Sequence, residues 1–221
     1  MKKILLPLLL ILAVGMLAAV ESEPSEVVGY FKKTINDGGW QAISLPFAYS
    51  SLGIGDVIGT QLSESDCIID INTATSTIYY ADFGWFGELE SMDYGTAYYI
   101  NRAIGNGVTD YFLLGKVDPQ GFTKTILGNG AFTAFGLNEA TEIELTDDLF
   151  GTNESDGDVI IDINSAASST YYSGFGWFGE LTQISPTSAY FYNSALGSSD
   201  FIWTYEPVRS KTSTSINRVS K

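Results

Sequence analysis

The side chains that could do chemistry in this chain are carboxylates and aromatic rings, because it contains no histidine and a single cysteine, Cys67. The usual proton shuttle, most metal sites and the Ser-His-Asp or Cys-His nucleophile arrangements are therefore missing. Cys67 has no partner for a disulfide within the chain, and its counterpart in the repeat described below is Val159, which favours an ordinary buried strand residue. The composition predicts a protein that is not an enzyme and has no catalytic residues.

Aromatic and acidic residues are concentrated in a motif that occurs twice. FGWFGEL spans residues 83–89 and 175–181, and each copy follows an IIDIN motif, at 68–72 and 160–164. The copies are 92 residues apart, and 30 of the 74 positions in 28–101 are identical to their counterparts. This pattern indicates a tandem duplication. Its period exceeds the roughly 20–50 residues of solenoid repeats, so we expect two small domains, each with its own core.

A pair of carboxylates is the one catalytic arrangement that the repeat offers. Glu88 with Asp70, or Glu180 with Asp162, could hydrolyse a glycosidic bond if the two groups stood at the right separation. Nothing in the sequence fixes that separation, and duplication of a whole active site would be unusual. We therefore expect no catalysis at these positions.

The repeated aromatic residues also suggest ligand binding. Neighbouring residues of a strand face opposite sides, so one ring of each Trp-Phe pair should face inward and the other outward. An outward tryptophan beside a glutamate could stack on a sugar ring while the carboxylate accepts hydrogen bonds from hydroxyl groups. The interpretation that the sequence favours is that both rings fill small cores. The candidates for ligand binding are Trp85, Phe86, Glu88, Trp177, Phe178 and Glu180.

Oxygen-bearing side chains around the IIDIN motif could hold Ca²⁺. They are Asp66, Asp70 and Asn72, with the counterparts Asp158, Asp162 and Asn164. The glycine and the distal bidentate glutamate of an EF-hand loop are missing at the required spacing. The simpler interpretation is that the aspartate and asparagine begin a turn through local hydrogen bonds. We expect neither a metal nor a cofactor.

The first 19 residues predict export. Lys2 and Lys3 precede an apolar run that ends in small residues, which is typical of a secretory signal peptide cleaved after Ala19. A retained membrane anchor is the alternative, but the run is short for a ~20-residue span and contains Pro7. Cleavage leaves nine basic against 26 acidic residues, a net charge of −17. Nucleic acid is therefore a poor partner, and we expect an extracellular or cell-surface protein.

Short runs rich in β-branched and aromatic residues, separated by turn signals, predict an all-β fold of two tandem β-sandwich or barrel-like domains. The glycines of FGWFGEL are expected to interrupt or bend a return strand, and 50–59 could form a helical turn. The predicted organisation is a signal peptide (1–19), a polar leader (20–27), a first domain (28–117), a second domain (118–208) and a basic tail (209–221).

Parts of the first repeat resemble a known group of sequences. Trp40, Ile43, Ser44 and Pro46 match a GWN-x-IS-x-P strand, and 97–100 matches a G-x-GYWI strand. Together with the N-terminal stretch VESEPSEVVGYFK, they resemble secreted β-rich repeat proteins of environmental bacteria. The second repeat has Phe132, Phe135, Gly136 and Asn138 at the positions of the first motif. The resemblance implies an exported β-rich repeat protein and no known activity.

These observations favour a secreted, non-enzymatic structural subunit of a filament or surface layer, whose main partner is a second copy of itself. We expect assembly by strand addition, with 27–35 as the strand most able to leave its own unit. The tail 209–221 carries four positive charges and would dock on acidic neighbours. The alternative function is a carbohydrate-binding module for surface glycans that uses the repeated Trp and Glu residues.

Overall fold

The computed structural model describes residues 28–48, 52–118, 121–147 and 149–207. The predicted signal peptide, leader and basic tail lie outside the described residues. Eighteen strands and one short helix form the described part of the chain, which confirms the predicted all-β class. No helix within those residues is long and apolar enough to cross a membrane.

Nine strands and the helix belong to the first half of the chain, residues 28–118. They are β1 (Val28–Ile35), β2 (Trp40–Ser44), β3 (Leu52–Gly53), α1 (Ile54–Val57), β4 (Cys67–Asp70), β5 (Ser76–Tyr80), β6 (Gly84–Gly87), β7 (Ser91–Met92), β8 (Ala97–Asn101) and β9 (Thr109–Lys116).

The second half, residues 121–207, contains nine strands at corresponding positions. They are β10 (Phe122–Ile126), β11 (Phe132–Phe135), β12 (Ile143–Glu144), β13 (Val159–Asp162), β14 (Ser168–Tyr172), β15 (Gly176–Gly179), β16 (Gln183–Ile184), β17 (Tyr190–Asn193) and β18 (Phe201–Tyr205). The halves differ within 50–59, the segment that could form a helical turn, since α1 has no helical counterpart among the described residues.

Each half is built from one five-stranded sheet and two strand pairs. The large sheets have the orders β2-β8-β4-β5-β6 and β11-β17-β13-β14-β15, and the small ones pair β1 with β9, β3 with β7, β10 with β18 and β12 with β16. Corresponding strands therefore occupy corresponding places. The strand expected to leave its unit, β1, pairs with β9 along all of its length, from Val28 opposite Lys116 to Ile35 opposite Thr109.

Alternating side chains give each half its own core. In β9, for example, Tyr111 and Leu113 are fully buried while Phe112 and Leu114 are exposed, as expected for a strand with one face in the core and the other in solvent. One cluster is centred on Ile43, Ile68 and Leu113, and the other on Phe135, Phe150 and Trp203. The strands of each half are therefore held together by a separate cluster of apolar side chains.

The FGWFGEL motif does not bend an existing strand but forms one of its own. A tight turn, in which the Phe83 N–H donates to the Tyr80 carbonyl, reverses the chain before β6 pairs back on β5. Glycine is required at the end of β6, because a Cβ on Gly87 would lie 2.2 Å from the Ser76 carbonyl oxygen. The backbones of β5 and β6 therefore approach closely at Gly87, and the expected interruption is replaced by a new edge strand.

A third cluster joins the two halves and consists of small residues. Ala42 and Ala97 of the first half pack with Ala134 and Ala189 of the second, and all four are buried. They are counterparts at the 92-residue offset, so each position lies near its own copy, as in an isologous contact. Alanine lets the two large sheets approach closely through β2 and β11, their edge strands.

Candidate functional site

The two repeated tryptophans face inward. Trp85 is half-buried against the first core, its ring centroid lies 5.1 Å from that of Tyr79, and its indole N–H donates to the Gly59 carbonyl at 3.1 Å. Trp177 packs against the second core beside Phe150. The alternation of the Trp-Phe pairs is as expected, but the outward ring is phenylalanine.

Phe86 and Phe178 point to solvent, each 55% exposed, and Glu88 and Glu180 follow them on the surface. The six residues predicted as ligand contacts are therefore divided between two faces of each hairpin. The outward tryptophan that sugar stacking beside Glu88 or Glu180 required is absent from the described hairpins. The structure therefore corrects the outward tryptophan considered from the sequence, because the larger ring of each Trp-Phe pair packs in the core.

The outward rings form an aromatic cluster at the free edge of each large sheet. In the first half Tyr80, Phe83 and Phe86 touch edge to face, with Phe86 6.0 Å from Tyr80 and 6.4 Å from Phe83 between ring centroids. In the second half Tyr172 lies 6.1 Å from Phe178 between ring centroids, and Phe175 is exposed in the turn before β15. We call these two clusters the aromatic edges.

The inward face of the first hairpin borders a cavity of about 450 Å³. Trp85 and Tyr79 form one wall, and the segment around α1 forms the other with Gly55 and Thr60. Glu90 also lines it. The cavity is thus next to one predicted site residue, Trp85, while Phe86 and Glu88 take no part in its lining.

The corresponding region of the second half carries acids instead. Asp147 and Glu154 occupy the positions of Gly55 and Leu62. Burial raises the pKa of the Glu154 carboxyl, and the nearby charges of Asp147 and Asp158 raise it further. Both Glu154 carboxylate oxygens and the Trp177 indole nitrogen are buried without a partner among the described residues.

The aspartates and asparagines considered for Ca²⁺ have other bonds. Asp70 Oδ1 accepts the N–H groups of Asn72 and Thr73, at 2.8 and 3.2 Å, which is the local turn that the sequence favoured. Asp162 repeats it with Asn164 and Ser165. Among the described residues no cluster of three or more acidic, cysteine or histidine side chains could hold a metal ion.

Asp66, the other oxygen ligand considered, lies fully buried in a polar network. It accepts hydrogen bonds from the Arg102 guanidinium, the N–H groups of Ser63 and Ala103, and the Asn106 amide. Its counterpart Asp158 binds the Tyr192 hydroxyl in place of an arginine. Burial, together with this hydrogen bond, raises the pKa of Tyr192. Both aspartates hold loops in place, and within the described part of the chain only Asp66 is paired with a cation.

The asparagines of the two IIDIN motifs join the halves. The Asn72 amide donates to the Ala134 carbonyl at 2.9 Å, and its oxygen accepts the Ala134 N–H at 2.8 Å. Asn164 does the same with both backbone groups of Ala42, at 2.8 Å each. The side chains thus cap the edges of β11 and β2, where a strand partner would otherwise bind. Sequence reasoning missed this role, although the identical asparagines and alanines of both repeats were its signal.

We expect Asn72→Ala and Asn164→Ala each to lower the free energy of unfolding by about 1–3 kcal/mol, because each leaves two edge backbone groups without their partner. Urea denaturation measures the loss. Asn36→Ala, at an exposed loop position, is the matched control and should change little. A loss below about 0.5 kcal/mol for both junction variants would mean that water replaces the amides at no cost.

Cys67 lies on β4 and is half-buried, where the sequence predicted an ordinary buried strand residue. Burial and the charge of Asp66 raise the pKa of its thiol, although a hydrogen bond to Asn101 opposes them. Because the thiolate is the reactive form, this environment disfavours a reactive thiol.

Comparisons with known proteins give no relatives: no family model matches the chain, and neither a curated protein nor a solved structure matches it.

Proposed function

We propose that the protein is a secreted, non-enzymatic structural subunit that assembles with copies of itself into a filament or surface layer. Contacts between the aromatic edges of successive subunits would hold the polymer together. The proposal that the chain is exported rests on the signal-like residues 1–19. The proposal that it is not an enzyme rests on the absence of histidine from the sequence. The observation that carries the proposal is the pair of exposed aromatic edges.

Each aromatic edge combines two features that favour association. The outer side chains are large and exposed, with Phe83 at 77% and Phe175 at 79%. They also lie on or beside β6 and β15, which end their sheets and have one side without a described strand partner. A free strand edge accepts another strand through main-chain hydrogen bonds, and contiguous exposed apolar surface marks interaction sites.

The strand order supports assembly through these edges. The junction between the halves uses β2 and β11, at one end of each large sheet, and β6 and β15 are at the other ends. Pairing β6 of one subunit with β15 of the next is a heterologous contact. Such contacts continue from subunit to subunit unless a ring closes. Strand addition at these edges does not require β1 to leave β9.

The variant Phe86→Lys/Phe178→Lys is expected to remain monomeric while it unfolds at the same urea concentration as the unmodified protein. Both rings are exposed, so folding loses little, but a charge on each edge opposes strand pairing. Sedimentation velocity and negative-stain electron microscopy measure assembly of the mature protein.

The control is Ile202→Lys, which adds the same charge at a 61% exposed position on β18, away from both edges. It should assemble normally. Each single variant at an aromatic edge retains one functional edge and should shorten polymers of the unmodified protein when added in small amounts. Normal polymers from the double variant would rule out assembly through these edges.

A further inference from the structure

The cavity beside Trp85 lies apart from the aromatic edges through which we propose assembly. Its volume of about 450 Å³ lies within the roughly 300–1,000 Å³ typical of sites for small ligands. It lies on the inward face of the β5–β6 hairpin, opposite the aromatic edge, so a ligand there would leave Phe83 and Phe86 uncovered. Its residues therefore point to a separate function.

Glycines keep the cavity open. A Cβ built on Gly55 or Gly84 would meet no atom within 4 Å, and one on Gly59 would meet its nearest atom at 3.8 Å. These three residues therefore border empty space, and their peptide groups are not covered by side chains of their own. Backbone groups that line a pocket in this way supply hydrogen bonds to a bound molecule.

The second half shows that the same fold can fill this space. Asp147 stands at the position of Gly55, and its Oδ1 lies only 2.3 Å from where a Cβ on Gly176, the counterpart of Gly84, would be. Phe150 also replaces the smaller Ile58. The hairpin folds with the space filled, so packing alone does not require the first half to leave it empty.

The walls combine a fixed aromatic face with a few polar groups. The hydrogen bond from the Trp85 indole to Gly59 sets the orientation of the ring, and Tyr79 packs beside it with an angle of 56° between the planes. Thr60 and Thr77 add hydroxyl groups. Among the described residues that line the cavity, Glu90 is the one charged side chain, so an anionic ligand would meet repulsion without a cation to hold it.

We propose that this cavity binds a neutral pyranose unit of a glycan, whose C–H face packs on Trp85 while its hydroxyl groups bond to Glu90 and Thr60. A sugar ring has one apolar face and a rim of donors and acceptors, which matches an aromatic wall with a carboxylate and hydroxyls at its border. The site differs from the one that the sequence suggested: it uses the inward ring and Glu90, and it belongs to the first half alone.

Isothermal titration calorimetry of the mature protein against cellohexaose, maltohexaose, laminarihexaose and chitohexaose tests the proposal. We expect at least one of these neutral oligosaccharides to bind with a stoichiometry of one per chain and to change tryptophan fluorescence. Gly55→Asp, which copies Asp147, should weaken that binding at least about tenfold, because the new carboxylate would occupy the mouth of the cavity.

Two controls separate binding from folding and from assembly. Ile202→Asp adds the same charge at a 61% exposed position on β18, outside the lining of the cavity, and should bind as the unmodified protein does, while all variants keep the same unfolding midpoint. Phe86→Lys/Phe178→Lys should also bind normally, because its substitutions lie on the other face. Three results would each overturn the proposal. They are binding that survives Gly55→Asp, no binding of any of the four oligosaccharides at 10 mM, about the highest practical concentration, and preferential binding of choline, whose cation would pack against the aromatic walls.

Discussion

Asp66→Asn is expected to lower the free energy of unfolding by about 3–5 kcal/mol, because it leaves the Arg102 guanidinium buried without a counter-charge. Asp66 is 0% exposed and Arg102 is 3% exposed, so water cannot take over the role of the carboxylate. Arg102 would retain only neutral acceptors, the carbonyls of Asn106 and Gly107 and the Ser63 hydroxyl. Urea denaturation followed by tryptophan fluorescence measures the change.

The second half supplies the matched comparison. Asp158→Asn removes an equally buried carboxylate, but its partners are the Tyr192 hydroxyl and two backbone N–H groups, all neutral. An asparagine oxygen still accepts such bonds, so we expect a loss of only about 1–2 kcal/mol. Equal losses for the two variants would show that Arg102 does not determine the cost.

Sequence reasoning correctly placed the strands that can be recognised from the pattern of their own residues. Val159 to Asp162 and Ala97 to Asn101 alternate or run apolar between turn residues, so their extended conformation follows from local pattern alone. The opposite facing of Trp85 and Phe86 follows from the two-residue period in the same way. Which of the two rings faces inward depends on the space available beneath the hairpin, and one sequence does not define that space.

The features that sequence reasoning missed depend on contacts between distant segments. The cavity is lined both by Gly55, far from the hairpin in sequence, and by Gly84 of the hairpin, and a Cβ on either glycine would meet no atom within 4 Å. The Asn72 and Asn164 contacts join residues that lie 62 and 122 positions from their partners, Ala134 and Ala42. Local sequence patterns place an asparagine that follows a strand in a turn, and that turn is present. The side-chain amide of the asparagine, however, also forms hydrogen bonds to the other half of the protein.

The contact between the halves also explains why the two repeats differ at one position. Ser44 and Gly136 are counterparts at the 92-residue offset, and they lie against each other at the junction. A Cβ on Gly136 would be 1.9 Å from the Ser44 Cβ. Two serines cannot both fit there, so one half must carry glycine.

Gly136→Ser is therefore expected to lower the free energy of unfolding by about 3 kcal/mol, the upper part of the range for overpacked sites. Ser44 has little freedom to move away, because its N–H donates to the Thr187 carbonyl at 3.1 Å and its hydroxyl to the Ser188 carbonyl at 2.7 Å. Gly136 has no positive φ, so the substitution causes no backbone strain of its own.

Exchanging the two residues distinguishes a clash from a general loss of packing. In Ser44→Gly/Gly136→Ser the side chain moves from one half to the other, so the two Cβ atoms no longer compete for one space. The double variant should be more stable than Gly136→Ser alone, although it loses the Ser44 hydroxyl bond, worth about 1 kcal/mol. Thermodynamic coupling between the two substitutions, measured by a double-mutant cycle, should then be at least about 1 kcal/mol. Additive losses would mean that the two positions do not meet in solution, and the close junction between the halves would then be wrong.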